Sequence, residues 1–329
     1  VLRDAAQPEA RHQTMSAAIR WSHELLDSEA SNALIRLGVF DGPFEQNDAA
    51  AMIEDGDARR ILDTLVRASL AERTDHAGRS TYRLAVPVQQ YCSAELERSG
   101  DTTNASVSLA DWLLEFTDRP YGDVLWRFSV VDEIATRFSF ALSAIDGLCA
   151  VGRSDDATRL ASRLGGVAHL YSRADELIDV LGDLWPKCRD ADATADALVA
   201  LVLITNVVNK VESFFPLLGM LDSLDGPAGR RHRVYVHCMH SLWLMWTARL
   251  TDADYGPAND QLNRARALVD ALDSPINRAH IEDYQSALHL LAGDWIAAEA
   301  AARRALEDSA GTTVDVAATS SLCHARLQL

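Results

Sequence analysis

The chain is poor in most of the residues that announce a chemistry. Its five cysteines (Cys92, Cys149, Cys188, Cys238 and Cys323) are odd in number, far apart and without a CxxC pair. That pattern excludes a disulfide framework and suits a reducing cytosol, so a cytoplasmic location is expected. The longest apolar run, Ala197–Val208, is about twelve residues, whereas a membrane span needs about twenty, so no membrane partner is expected. The N-terminus lacks the basic start and apolar stretch of a secretory signal. There is no GxxxxGK[ST] loop to hold nucleotide phosphates and no GxSxG elbow to hold a nucleophilic serine. No catalytic residue, metal or cofactor is therefore assigned, and the chain is read as a non-enzyme. Lysine is nearly absent (only Lys187 and Lys210), and the net charge is −17, which opposes unspecific binding to nucleic acid or to an anionic membrane.

What the chain does have is helix-forming sequence. Hydrophobic residues make up 48% and aromatics only 7%, a balance in which alanine and leucine dominate and helices outweigh sheets. Residues 13–26 predict a helix with Met15, Ala18, Ile19, Leu25 and Leu26 as apolar positions and Trp21 as an anchor. A second helix is predicted over 29–39, broken by Asp41-Gly42-Pro43. Asn47 or Asp48 can cap a short third helix, and Asp57 the next, over 58–70. Residues 71–74 and 81–86 then read as a hairpin around a polar loop with Gly78, and Pro87 suits the first turn of a helix to about Arg98. Three helices, a hairpin and a helix is the order of a winged helix, assigned to 1–98.

Residues 99–106 are polar and read as a linker; residues 107–329 read as helices joined by short turns. The clearest repeat is 276–308, where Gly293-Asp294 turns the chain, Trp295 plugs the turn and small residues allow close helix contact. Weaker pairs are seen at 137–171 and 230–272. The fold class expected is mostly α: a winged helix followed by an α-solenoid of degenerate hairpins like tetratricopeptide repeats. The abrupt start at Val1 and the end inside a helical pattern suggest a piece of a longer protein.

The order Arg11-His12-Gln13-Thr14, Trp21-Ser22-x-x-Leu25-Leu26, Gly38-Val39-Phe40-x-Gly42-x-Phe44, Leu62-x-x-Leu65-x-x-x-Ser69-Leu70, then Tyr82-Arg83-Leu84 and Gln90-Tyr91, resembles one known arrangement. It is the winged-helix region of bacterial signal-transduction NTPases of the STAND class, transcriptional regulators that join an NTPase to tetratricopeptide repeats. The resemblance covers about residues 11–98; the rest matches only in pattern. It implies that the winged helix docks on an NTPase domain absent from this chain, through Arg11 and His12, and that ATP or ADP would require that upstream domain. Ala85 and Val86 stand where such proteins often carry a polar nucleotide-reporting residue, so sensing at this point is expected to be lost or moved.

Several constellations invite a chemical reading. His23-Glu24-Leu25-Leu26-Asp27 approaches HExxH but ends in Asp. His237 and His240 share a helical face while His232 and Cys238 lie elsewhere, too few ligands to close a zinc site. Asp252, Asp254 and Gly256 lack the remaining ligands of a calcium loop. For DNA, the predicted reading helix offers Arg59, Arg60 and Arg67 and the wing Arg73, His76 and Arg79, but Glu54, Asp55, Asp57 and Asp63 sit in or beside that helix. The leading expectation is thus a regulatory, sensing fragment of a cytoplasmic signalling regulator; DNA contact by the winged helix is the second, and a stand-alone repeat scaffold for protein interaction the third. On the repeats, Tyr235, His240, Trp243, Trp246, Tyr284 and His289 could line a groove for a protein or small effector.

Overall fold

A computed structural model describes residues 6–53, 56–76, 78–207, 211–224, 226–269 and 274–329; for 6–14, 207, 211–214 and 226–231 it describes the backbone alone. The elements run α1 (Ala6–Glu24), α2 (Ser28–Arg36), β1 (Phe44–Glu45), α3 (Gln46–Met52), α4 (Ala58–Arg67), β2 (Ala71–His76), β3 (Arg79–Leu84), α5 (Val86–Ser99) and α6 (Thr102–Phe116). They continue with α7 (Tyr121–Trp126), α8 (Phe128–Ala135), α9 (Phe138–Ala150), α10 (Ser154–Arg163), α11 (Gly165–Leu170), α12 (Ala174–Leu184), α13 (Ala191–Val207) and α14 (Val211–Ser223). The last five are α15 (Gly226–Thr251), α16 (Gly256–Val269), α17 (Pro275–Ala292), α18 (Trp295–Asp308) and α19 (Thr313–Gln328). The chain is thus mostly helical, with one small antiparallel sheet of order β1-β3-β2 near the N-terminus. Two compact units form: Val1–Asp118 with Thr136–Leu160, and Arg119–Ala135 with Ala161–Leu329.

In the first unit, local chemistry explains the winged helix. Asp27 caps α2 by accepting from Ala30 N at 2.8 Å, and Asp57 caps α4 by accepting from Arg59 N at 3.0 Å. Ile61, Leu62 and Leu65 bury one side of α4, and Ser69 (φ 59°) turns the chain sharply into β2. The hairpin pairs Ala71 with Leu84 through to His76 with Arg79, so Ala71, Tyr82 and Leu84 face the core. The short strand β1, pairing Phe44 with Tyr82, adds a third strand to the expected hairpin. The first turn of α3 also differs from expectation: neither Asn47 nor Asp48 is its cap. The helix starts at Gln46 behind Glu45, and Asp48 reaches back to accept from Glu45 N at 2.7 Å.

The supposed linker 99–106 does not separate two bodies. Gly100 (φ 75°) ends α5, and Thr102 already starts α6. α6 and α9 then pack within the unit that holds the winged helix, so close that a Cβ on Gly147 would stand 2.5 Å from Ser106 Cβ. The helix expected over 130–151 is likewise two, α8 and α9, and that over 154–171 breaks at Leu164 into α10 and α11.

In the second unit, the apolar stretch of α13 is buried all round: Leu198, Val202 and Leu203 meet Leu218, Leu221, Val236 and Met239. Two hairpins repeat one contact. Ser241 Oγ of α15 donates to Ala258 O of α16 at 2.9 Å, and Ser286 Oγ of α17 donates to Ala298 O of α18 at 2.9 Å. The hairpin read at 276–308 is present: Gly293 (φ 78°) ends α17, Asp294 caps α18, and Ala298, Ala301, Ala302 and Ala305 are buried.

Candidate nucleic-acid interface

The surface to weigh is α4 with the wing. Its cationic side chains do not form a free basic field. Arg60 hydrogen-bonds and ion-pairs with Glu29 and lies 3.6 Å from Asp27, both at the start of α2. Arg73 Nε lies 3.0 Å from Asp75 Oδ1, its Nη1 4.0 Å from Asp63 of α4, and its Nη2 donates to Ser80 Oγ. Arg79 Nε lies 3.6 Å from Glu45. Three of the five arginines expected to meet phosphate therefore already sit in surface ion pairs with this chain's own carboxylates. Arg59 is exposed, and Arg67 donates only to Thr64 of its own helix; among the described residues neither forms an ion pair. Arg83, which faces outward beside Glu72 on the wing, was missed in the sequence because only strand register shows its direction. Over 26–97 the sequence holds seven Lys and Arg against thirteen Asp and Glu, a balance of −6.

α1 is held to the winged helix by His23, whose ring nitrogens meet Ser31 Oγ at 2.7 Å and Tyr91 OH at 2.8 Å. These contacts give His23 a structural use between α1, α2 and α5. Met15 and Trp21 of α1 and Leu25 in the turn after it are 48%, 65% and 66% exposed. The side chains of Arg11 and His12, expected to dock an NTPase domain, lie outside the described residues.

The expected groove on the repeats is only partly assembled. His240 and Trp243 join Phe215, Leu244 and Gln261 around a hollow of about 380 Å³, with Phe215 edge-on to Trp243 at 4.7 Å. Burial lowers the pKa of His240, so it is neutral near pH 7. Tyr235 does not line this hollow: it is buried 5.9 Å from Trp126, and Tyr284 packs into the same core. Helix periodicity could not tell those inward tyrosines from outward ones. Trp246 is exposed, and His289 lies 3.3 Å from Gln285 on its own helix. His237 pairs with Gln261, His232 with the buried Asp196, and Cys238 is buried, so these groups do not converge. Among the described residues no helix is long and apolar enough to cross a membrane.

The comparisons fall on the same region. Residues 26–97 match the family model described as a winged helix-turn-helix domain. An uncharacterized protein of Mycobacterium tuberculosis is 36% identical over 106 residues, covering 30% of this chain and 26% of the relative. A second M. tuberculosis protein, named provisionally as an HTH-type transcriptional regulator, is 37% identical over 102 residues, covering 30% of this chain and 11% of the relative. Mycobacterium bovis carries a protein with the same 36% match. The chain thus spans about a quarter of the first relatives' length. No solved structure matches.

Proposed function

We propose that this chain is a non-catalytic regulatory part of a transcriptional regulator, and that its winged helix works as a protein-docking module more than as a reader of DNA. The similarity to an HTH-type regulator supports the first half of this reading. One observation carries the second half: Arg60, Arg73 and Arg79 are each taken up by internal carboxylates on a module of charge −6. A phosphate backbone would have to displace those pairs and approach an acidic surface. Met15 and Trp21 of α1 and Leu25 just after it are exposed apolar side chains, and we assign to them contact with a nucleotide-binding domain of the same regulator. The hollow at His240 and Trp243 is assigned to a protein or small effector.

The second reading, direct DNA binding, is favoured by Arg59 and Arg67, which are exposed on α4 and form no ion pair among the described residues. Fluorescence anisotropy with mixed-sequence duplex DNA separates the two. Docking predicts no binding even at about 50 mM salt, where charge-driven contact is strongest. Salt-sensitive binding that disappears in Arg59→Ala/Arg67→Ala would replace docking with DNA reading.

A further inference from the structure

Arg137, the residue before α9, carries a guanidinium that is only 3% exposed, against an Asp48 side chain that is 1% exposed. Its Nε lies 2.8 Å from Asp48 Oδ1, and a terminal nitrogen lies 3.3 Å from Glu45 Oε2. The guanidinium carbon stands 4.3 Å from the Phe116 ring centre and 5.6 Å from that of Trp112, two stacked rings on α6. Glu45 has a second cation, Arg79 at the start of β3. Asp48 has a second donor, Glu45 N, so both carboxylates at the entry to α3 are held from two sides. Burial pushes the Asp48 carboxyl up, and Arg137 opposes that shift.

A buried ion pair of this kind is weak support for stability as such, because a well-packed apolar pair often serves equally well. It does specify geometry: a carboxylate shared between two arginines ties their elements together. We infer that Arg137 is a positioning residue for the winged helix, fixing the entry of α3 directly and the base of the wing through Glu45. The entry of α3 and the base of the wing, which flank Arg59 and Arg67, are thereby tied to a side chain some ninety residues beyond Asp48 and Glu45. This inference rests on the winged-helix fold of 26–97 and not on which partner that surface meets.

Backbone hydrogen exchange on the full chain tests it without any partner, so its failure is separate from failure of the docking reading. Glu45→Gln keeps Arg137 on Asp48 and should raise exchange in 79–84 about threefold or more while leaving 86–99 unchanged. Arg137→Met with Asp48→Leu replaces the buried pair by apolar groups. It should restore the denaturation midpoint lost in Arg137→Gln, yet leave 46–52 and 79–84 exchanging faster than in the parent chain. Arg153→Gln, which breaks an exposed pair with Asp111, should change neither segment. Parent-like exchange of 79–84 in Glu45→Gln, or of both segments in a folded double variant, would overturn the positioning role.

Discussion

His280 and Asp283 stand nearly one turn apart on α17 and answer pH in opposite directions. Burial lowers the His280 pKa to about 4, and its Nε2 has no hydrogen-bond partner among the described residues. Burial raises the Asp283 carboxyl to about 7. For His280, stability is present above the ordinary value of 6.5 and is lost as pH falls through about 4. For Asp283, stability is present below 3.8 and is lost as pH rises through about 7. The two slopes oppose one another across the same window. Relative to the parent, Asp283→Asn should make stability rise more steeply with pH between about 4 and 6.5, and His280→Leu should make it fall. Denaturant midpoints across that range are the measurement, and parallel profiles for all three proteins would contradict it. At this scale little was legible in advance. Arg59, Arg60, Arg67, Arg73 and Arg79 were all identifiable as candidates, but Glu29 lies 31 positions from Arg60 and Glu45 34 from Arg79, and no local pattern joins such partners.

Elements were easier to read, because helix periodicity and capping act over a few residues. The cap at Asp57 and the turn at Gly293 stand where those rules place them, and the wing hairpin is present with strands 71–76 and 79–84 in place of 71–74 and 81–86. Two departures share one cause, close approach of another part of the chain. Gly165-Gly166 sat inside an apparently continuous helix, yet a Cβ on Gly166 would stand 2.4 Å from Val124 O, and the chain breaks there. Gly38, in the turn Leu37–Val39 that follows α2, is a sharper case. A Cβ on it would lie 2.5 Å from Cys92 Cβ and 3.2 Å from Cys92 C on α5. Gly38→Ala must push α5 away and should cost about 1–3 kcal/mol by thermal or denaturant unfolding. A loss below about 0.5 kcal/mol would mean that the turn and α5 part without strain.

For the whole chain, the question is where the winged helix ends as a physical object. Phe40 stacks on Phe44 at 4.5 Å, and Phe140 of α9 covers Phe40 edge-on at 5.0 Å. A chain ending at Arg98 loses that cover together with Arg137. It should lose roughly 2 kcal/mol or more of stability relative to the same segment in the full chain, given about 25 cal/mol per Å² of apolar area. Hydrogen exchange of 28–96 in both proteins compares them, and equal protection would show that the segment needs neither α6 nor α9. The family match stops at residue 97, while the compact unit continues through α6 and returns for Thr136–Leu160.

By itself the sequence determined the helical class, the winged-helix order, the lack of a phosphate loop and the acidic balance, because these depend on composition and on spacing within a turn or two. Only the tertiary structure decided that α6 and α9 belong with the winged helix and that Tyr235 turns inward. It also decided which carboxylates pair with Arg60, Arg73 and Arg79 and that Arg137 closes on Asp48. Apart from the pairing of Arg73 with nearby Asp75 and Asp63, each of those depends on contacts between residues far apart in the chain, where desolvation and packing choose the partner and local propensity has little influence.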